Sequence, residues 1–201
     1  RDARVRHVIW STLEDTRELV PLSDDRMPTL MGSYKVPHFD GKGEANKIFF
    51  EYDVPTTLLN TSFYWDNFIG FSPPQRGEDG VLALTFPMGT ARLPGIAAED
   101  IGRCAYGIFQ RGPETYGKTI GIAGEFLTGE QLAAGLSEAL GEPVRYNDVP
   151  PEVFRSFDFP GAEDVGNMFQ YKRDFEREFC GARDIEYARE LNPRLQSFKT
   201  W

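Results

Sequence analysis

Two short apolar runs flanking one amphipathic segment constrain this chain more than anything else in it. His7-Val8-Ile9-Trp10 is a β-prone run that stops at Ser11-Thr12, and a second run, Thr56-Thr57-Leu58-Leu59-Asn60, follows Val54-Pro55. Between them Asp40 is suited to cap a helix, expected to run to about Tyr52. Its apolar residues Ala45, Ile48, Phe49 and Tyr52 fall at i, i+3, i+4 and i+7, which predicts one stripe facing a core. Strand, helix, strand in that order is half of a βαβ architecture, so the fold class is α/β. Open sheets of this kind bind ligands beyond the carboxyl ends of their strands. Ser11-Thr12 and the residues after Asn60 are therefore the places to search.

The rest of the chain reads as shorter elements. A Pro-Pro and Gly-rich loop (residues 73–80) precedes a strand over 81–86, and residues 98–109 form a helix with Ile101, Ala105, Ile108 and Phe109 inward. A strand over 118–123 follows. Thr128 and Gln131 have the spacing of a capping box, ahead of a helix carrying Leu132, Leu136 and Leu140. Residues 144–147 read as a strand and Pro150-Pro151 as the start of a helical turn. A long helix is expected over 162–179, with Val165, Met168, Phe169, Phe175 and Phe179 on its stripe, and a last one over 184–191. The division this suggests is residues 1–95 for the end of a sheet domain and 96–201 for a smaller α+β lobe, with a soft boundary and interleaved elements. The chain opens on Arg1 and enters a strand almost at once, so a longer sheet upstream is expected.

Charge and cysteine content exclude several classes of function. Asp and Glu total 31 against 22 Lys and Arg, a net charge of −9, whereas direct binding to nucleic acid needs a concentrated basic face. No apolar run has the length of a membrane span. Cys104 and Cys180 are too few for a disulfide framework or a cysteine metal cluster, and with only His7 and His38 beside them no transition-metal site is expected. A reducing setting, cytoplasmic or also nuclear, follows as the expectation.

Two segments carry candidate chemistry. In His38-Phe39-Asp40-Gly41-Lys42-Gly43-Glu44 the lysine is expected in the first helical turn, where the macrodipole disfavours a cation by about 0.3–1 kcal/mol. An exposed lysine can absorb that penalty; the functional alternative is an amine reaching for a ribose hydroxyl or an anion at the mouth of the sheet. Phe63-Tyr64-Trp65-Asp66-Asn67-Phe68 combines flat rings with hydrogen-bonding groups and would suit a planar heterocycle such as nicotinamide, or simply pack beneath a second lobe. Short-chain reductases pair a tyrosine with a lysine four residues on, and here His38 occupies the tyrosine's place. Ser11 lacks the Gly-x-Ser-x-Gly surroundings of a hydrolase nucleophile. The acidic and aromatic stretches 154–159 and 168–179 read as core plus solvated helix face, with a partner-binding surface as the alternative.

These segments, with Phe159-Pro160-Gly161-Ala162-Glu163-Asp164, Gly166-Asn167-Met168-Phe169 and Leu191-Asn192-Pro193, make the chain resemble the NmrA-like family of atypical short-chain dehydrogenase/reductases, above all its NADPH-sensing HSCARG-type branch. The resemblance covers nearly the whole chain. It implies the C-terminal part of a Rossmann-type NAD(P)-binding fold with a smaller α+β lobe and the ligand in the cleft between them. It also implies that Lys42, Tyr64, Trp65, Asp66 and Asn67 line the nicotinamide side of NADP(H), with no catalytic residue. The family's Gly-rich turn is not among these residues, and without it the affinity for NADP(H) is expected to be weak or absent. The function implied is a redox-sensing regulator that works through protein partners, with a homodimer among the possibilities and no direct contact to nucleic acid or membrane. The alternatives are an NAD(P)H-dependent reductase of quinone or carbonyl-type acceptors, and an interaction module that binds no dinucleotide.

Overall fold

The computed structural model describes residues 4–201; Arg1, on which the expectation of an upstream sheet rested, lies outside the described residues. β1 (Val8–Thr12), α1 (Pro37–Glu51) and β2 (Thr56–Asn60) form the expected strand–helix–strand unit, the strands parallel with Val8 beside Thr56 and Thr12 beside Asn60. Next come β3 (Phe63–Tyr64), β4 (Gln75–Arg76), β5 (Leu82–Thr85), β6 (Leu93–Ile96) and α2 (Ala98–Arg111). Then follow β7 (Thr119–Gly121), β8 (Glu125–Leu127), α3 (Gly129–Leu140) and β9 (Val144–Asn147). Four helices complete the chain: α4 (Pro151–Arg155), α5 (Ala162–Asp174), α6 (Glu176–Gly181) and α7 (Ile185–Leu191).

β2 lies between β1 and β7 in an all-parallel sheet, and all five of its residues are buried. Alternation along the strands explains how helices come to cover both faces. Trp10 stacks on Phe49 of α1 with ring centroids 4.7 Å apart. Its neighbour Ile9 points the other way, into a cluster of Leu59, Ile120, Cys104 and Ile108 with Ala188 and Leu191 of α7. Two further sheets, β3-β6-β8 and β4-β5-β9, build the rest around a larger aromatic core that includes Phe39, Phe63, Trp65, Phe169, Phe179 and Phe198. A cut at residue 95 would part β7 from β2 and β9 from β5, because the chain returns to the first sheet after leaving it. Among the described residues no helix is long and apolar enough to cross a membrane.

Several local expectations need correction. α1 starts at Pro37, whose missing N–H costs nothing at a first helical position, so Asp40 is not the cap. Asp40 is instead fully buried in the first turn, accepting from the N–H and hydroxyl of Thr16 and from the N–H groups of Lys35 and Val36 at 2.6–3.1 Å. The sheet-facing side of α1 carries Lys42, Asn46 and Phe49, which meet Ser11, Thr12 and Trp10. Two of those contacts are polar, and an apolar-periodicity search cannot count them; Ile48 and Tyr52 are consequently 52% and 61% exposed. Phe109 and Leu140 also face outward. The helix expected over 162–179 breaks at Phe175, whose φ of −119° and ψ of 39° leave the helical region.

Candidate functional site

The ends of β1 and β2 open on a cavity of about 1250 Å³. α1 supplies one wall with His38, Phe39 and Lys42; the turn after β2 supplies Thr61 to Tyr64 and Asn67; the stretch from α4 through α5 closes the far side with aromatic and aliphatic groups. Lys42 lies in the second turn of α1, beyond the strongest part of the macrodipole, and not in the first turn as expected. Its ammonium donates to the Ser11 carbonyl at 2.9 Å and stands 5.8 Å from the centroid of the Trp10 ring. Burial lowers its pKa. α1 comes this close because residue 43 is glycine: a Cβ there would lie 2.9–3.1 Å from the backbone and Cβ of Asp15.

The aromatic turn divides its residues between two tasks. Trp65 to Phe68 form a 3-10 helix, in which residues three apart share a side. Tyr64 and Asn67 both line the cavity. The Tyr64 hydroxyl lies 3.3 Å from Thr61 Oγ1, and the Asn67 side-chain amide has no hydrogen-bond partner among the described residues. Trp65 and Asp66 are carried elsewhere. Trp65 is 1% exposed and packs on Phe198 and Trp201, while Asp66 accepts from the Ala98 N–H at 2.7 Å and so caps α2. Of the five residues singled out, Lys42, Tyr64 and Asn67 are thus brought together, and Trp65 and Asp66 instead hold the C-terminal residues and the start of α2.

Of three further cavity residues, His38 was noted in the sequence only as standing in a reductase tyrosine's place, and Asp164 and Lys172 were not singled out as a site. His38 Nδ1 lies 2.7 Å from an Asp164 carboxylate oxygen, joining α1 to the first turn of α5. The other Asp164 oxygen is buried without a partner among the described residues. Lys172 is 3% exposed on the same cavity. Its spacing after Val165, Met168 and Phe169 puts it on the apolar stripe of α5, and a lysine on such a stripe was the available signal. Neither cysteine is a ready nucleophile: burial pushes Cys104 up to about 12 and Cys180 up to about 11.

The NmrA-like family profile matches residues 1–197. The nitrogen metabolite repression protein nmr of Neurospora crassa is 29% identical over 161 residues, which cover 76% of this chain and 31% of that protein. Crystal structures of NmrA, a negative transcriptional regulator, in complex with NAD and with NADP superpose with a TM-score of 0.74 at 22% identity, over 98% of this chain and 63% of theirs. An NADPH-dependent quinone oxidoreductase of Escherichia coli complexed with NADPH superposes with a TM-score of 0.67 at 19% identity, over 98% of this chain and 64% of that one. The chain therefore spans less than two thirds of each of these proteins. At such identities the structural likeness shows the fold, a Rossmann-type α/β fold that holds NAD or NADP(H) in those neighbours.

Proposed function

This chain belongs to the NmrA-like family, and from that premise we propose that it is an NADP(H)-binding, redox-sensing regulator that acts through protein contacts and catalyses no reaction. One observation carries the reading: Lys42, Tyr64 and Asn67 face one cavity at the ends of β1 and β2, and the Asn67 amide has no hydrogen-bond partner among the described residues. Lys42 would hold the ribose side of the nicotinamide, with Tyr64 and Asn67 beside the ring; these groups bind and orient. When bound, the dinucleotide supplies a hydride couple whose two states differ in ring charge, which is what a redox sensor must distinguish. The phenol that reductases place four residues before this lysine is His38 here, paired with Asp164. A net charge of −9 suits partners that are proteins, a second copy of this chain included, rather than nucleic acid, in the cytoplasm or nucleus.

Calorimetric titration of NADP(H) into the full-length protein tests the reading. Lys42→Ala is expected to weaken binding about tenfold, the worth of roughly one charge-assisted hydrogen bond. Unchanged affinity would remove Lys42 from the site. A reductase of quinone or carbonyl-type acceptors is the second reading, favoured by the His38–Asp164 pair on the cavity wall, since an imidazole can carry a proton. Sustained NADPH oxidation with such acceptors, abolished by His38→Ala, would establish it in place of the first.

A further inference from the structure

Two lysines of this protein are almost completely buried, and they differ in one respect. Lys35 donates to the carbonyls of Asp24 and Met27, both at 2.7 Å. Lys172 has no hydrogen-bond acceptor and no carboxylate against its amine among the described residues. The rings of Phe39, Phe63, Phe169 and Phe179, from four different elements, stand with centroids 5.3–5.9 Å from that amine. Aromatic faces offset only part of what an ammonium loses on leaving water.

Most charged groups nearby are engaged with one another; on the same cavity, Asp158 and the second Asp164 oxygen have no partner among the described residues. Arg183 and Glu14 pair with each other, Arg183 also donating to the Thr61 carbonyl. Glu176 and Glu178 of α6 are taken by Arg92 and Arg177. On α1, Asp40 is saturated by four donors, and His38 holds Asp164 across the cavity. Lys172 lines the cavity, so a counter-charge on a bound molecule can reach it from there.

We propose that Lys172 anchors a second ligand subsite in this cavity, which takes the carboxylate of an otherwise apolar acid. The acid's hydrocarbon body would lie on Phe154, Met168 and Phe169, and its carboxylate would supply the partner the amine lacks. Burial, reinforced by the like charge of Arg183 and partly offset by Glu14, brings the Lys172 pKa down to about 7. An arriving carboxylate restores the charged form, so binding above neutrality takes up a proton. This subsite goes beyond the dinucleotide reading and does not depend on it.

The test is calorimetry on the full-length protein with octanoate and 1-octanol, which share a chain and differ in charge. The intact protein is expected to bind octanoate at least tenfold more tightly, and Lys172→Met to abolish that preference. Equal binding of the two probes, or a preference that survives Lys172→Met, overturns the proposal; in the latter case the carboxylate sits on another cation. Should the variant not fold, the intact protein decides. At about pH 8, titrations in buffers of different ionisation enthalpy are expected to show uptake of close to one proton per octanoate, and no uptake overturns the subsite. NADP(H) titrated separately into the same protein reports on the dinucleotide reading, so either can fail alone.

Discussion

Asp40 illustrates how one side chain can be noticed for a good reason and do something else. Its residue type and place ahead of an amphipathic segment match a helix cap. In the fold its carboxylate holds the loop carrying Thr16 and the loop carrying Lys35 and Val36 to the first turn of α1. Asp40→Ala would strand three buried N–H groups and a hydroxyl, and is expected to cost about 3–5 kcal/mol, read from the shift in urea unfolding midpoint. A loss below about 1 kcal/mol would mean that these donors find other partners. Lys42, two residues on, was legible as a cation near the strand ends because its position depends only on a local helix and the strands it joins. Lys172 was legible only as a lysine on an apolar stripe, because what singles it out is four rings from α1, β3, α5 and α6 meeting around it.

At the scale of elements, legibility followed the range of the interactions. The capping box at Thr128 and Gln131 formed in both directions, since it spans three residues and needs no tertiary partner. β6 was not read, because Leu93-Pro94-Gly95-Ile96 carries two residues that usually mark a loop. It becomes the central strand of its sheet by pairing with β3 and β8, and Gly95 is there for closeness: a Cβ would fall 2.1 Å from Trp65 Nε1. Gly95→Ala is therefore expected to destabilise the protein by about 1–3 kcal/mol and to change the environment of Trp65. Denaturant unfolding followed by tryptophan fluorescence checks both, and an unaltered spectrum with unaltered stability would show that the indole moves aside freely.

The whole molecule sets the pH response. In the folded state the Lys172 pKa lies near 7, below its ordinary value of 10.5, so between those values the unfolded chain binds more protons than the folded one. Stability from this group is lowest below pH 7, rises with pH through that window, and is fully gained above it, by on the order of a few kcal/mol. Comparing urea midpoints at neutral pH and at about pH 9.5, the intact protein should gain more than Lys172→Met does. A parallel change in the two would place the amine in contact with water.

The sequence by itself determined the strand–helix–strand front of the chain, the open strand ends beside Ser11 and Asn60, and the type of groups gathered there, because each follows from periodicity and turn chemistry over short spans. Tertiary structure alone decided the rest. It chose which strands pair across the expected soft boundary, and it sent Tyr64 and Asn67 to the cavity while Trp65 and Asp66 took up the core and a helix cap. It also left the α5 lysine without a counter-charge. Such outcomes depend on how distant elements crowd one another, and that crowding has no signature in the spacing of residues along a single chain segment.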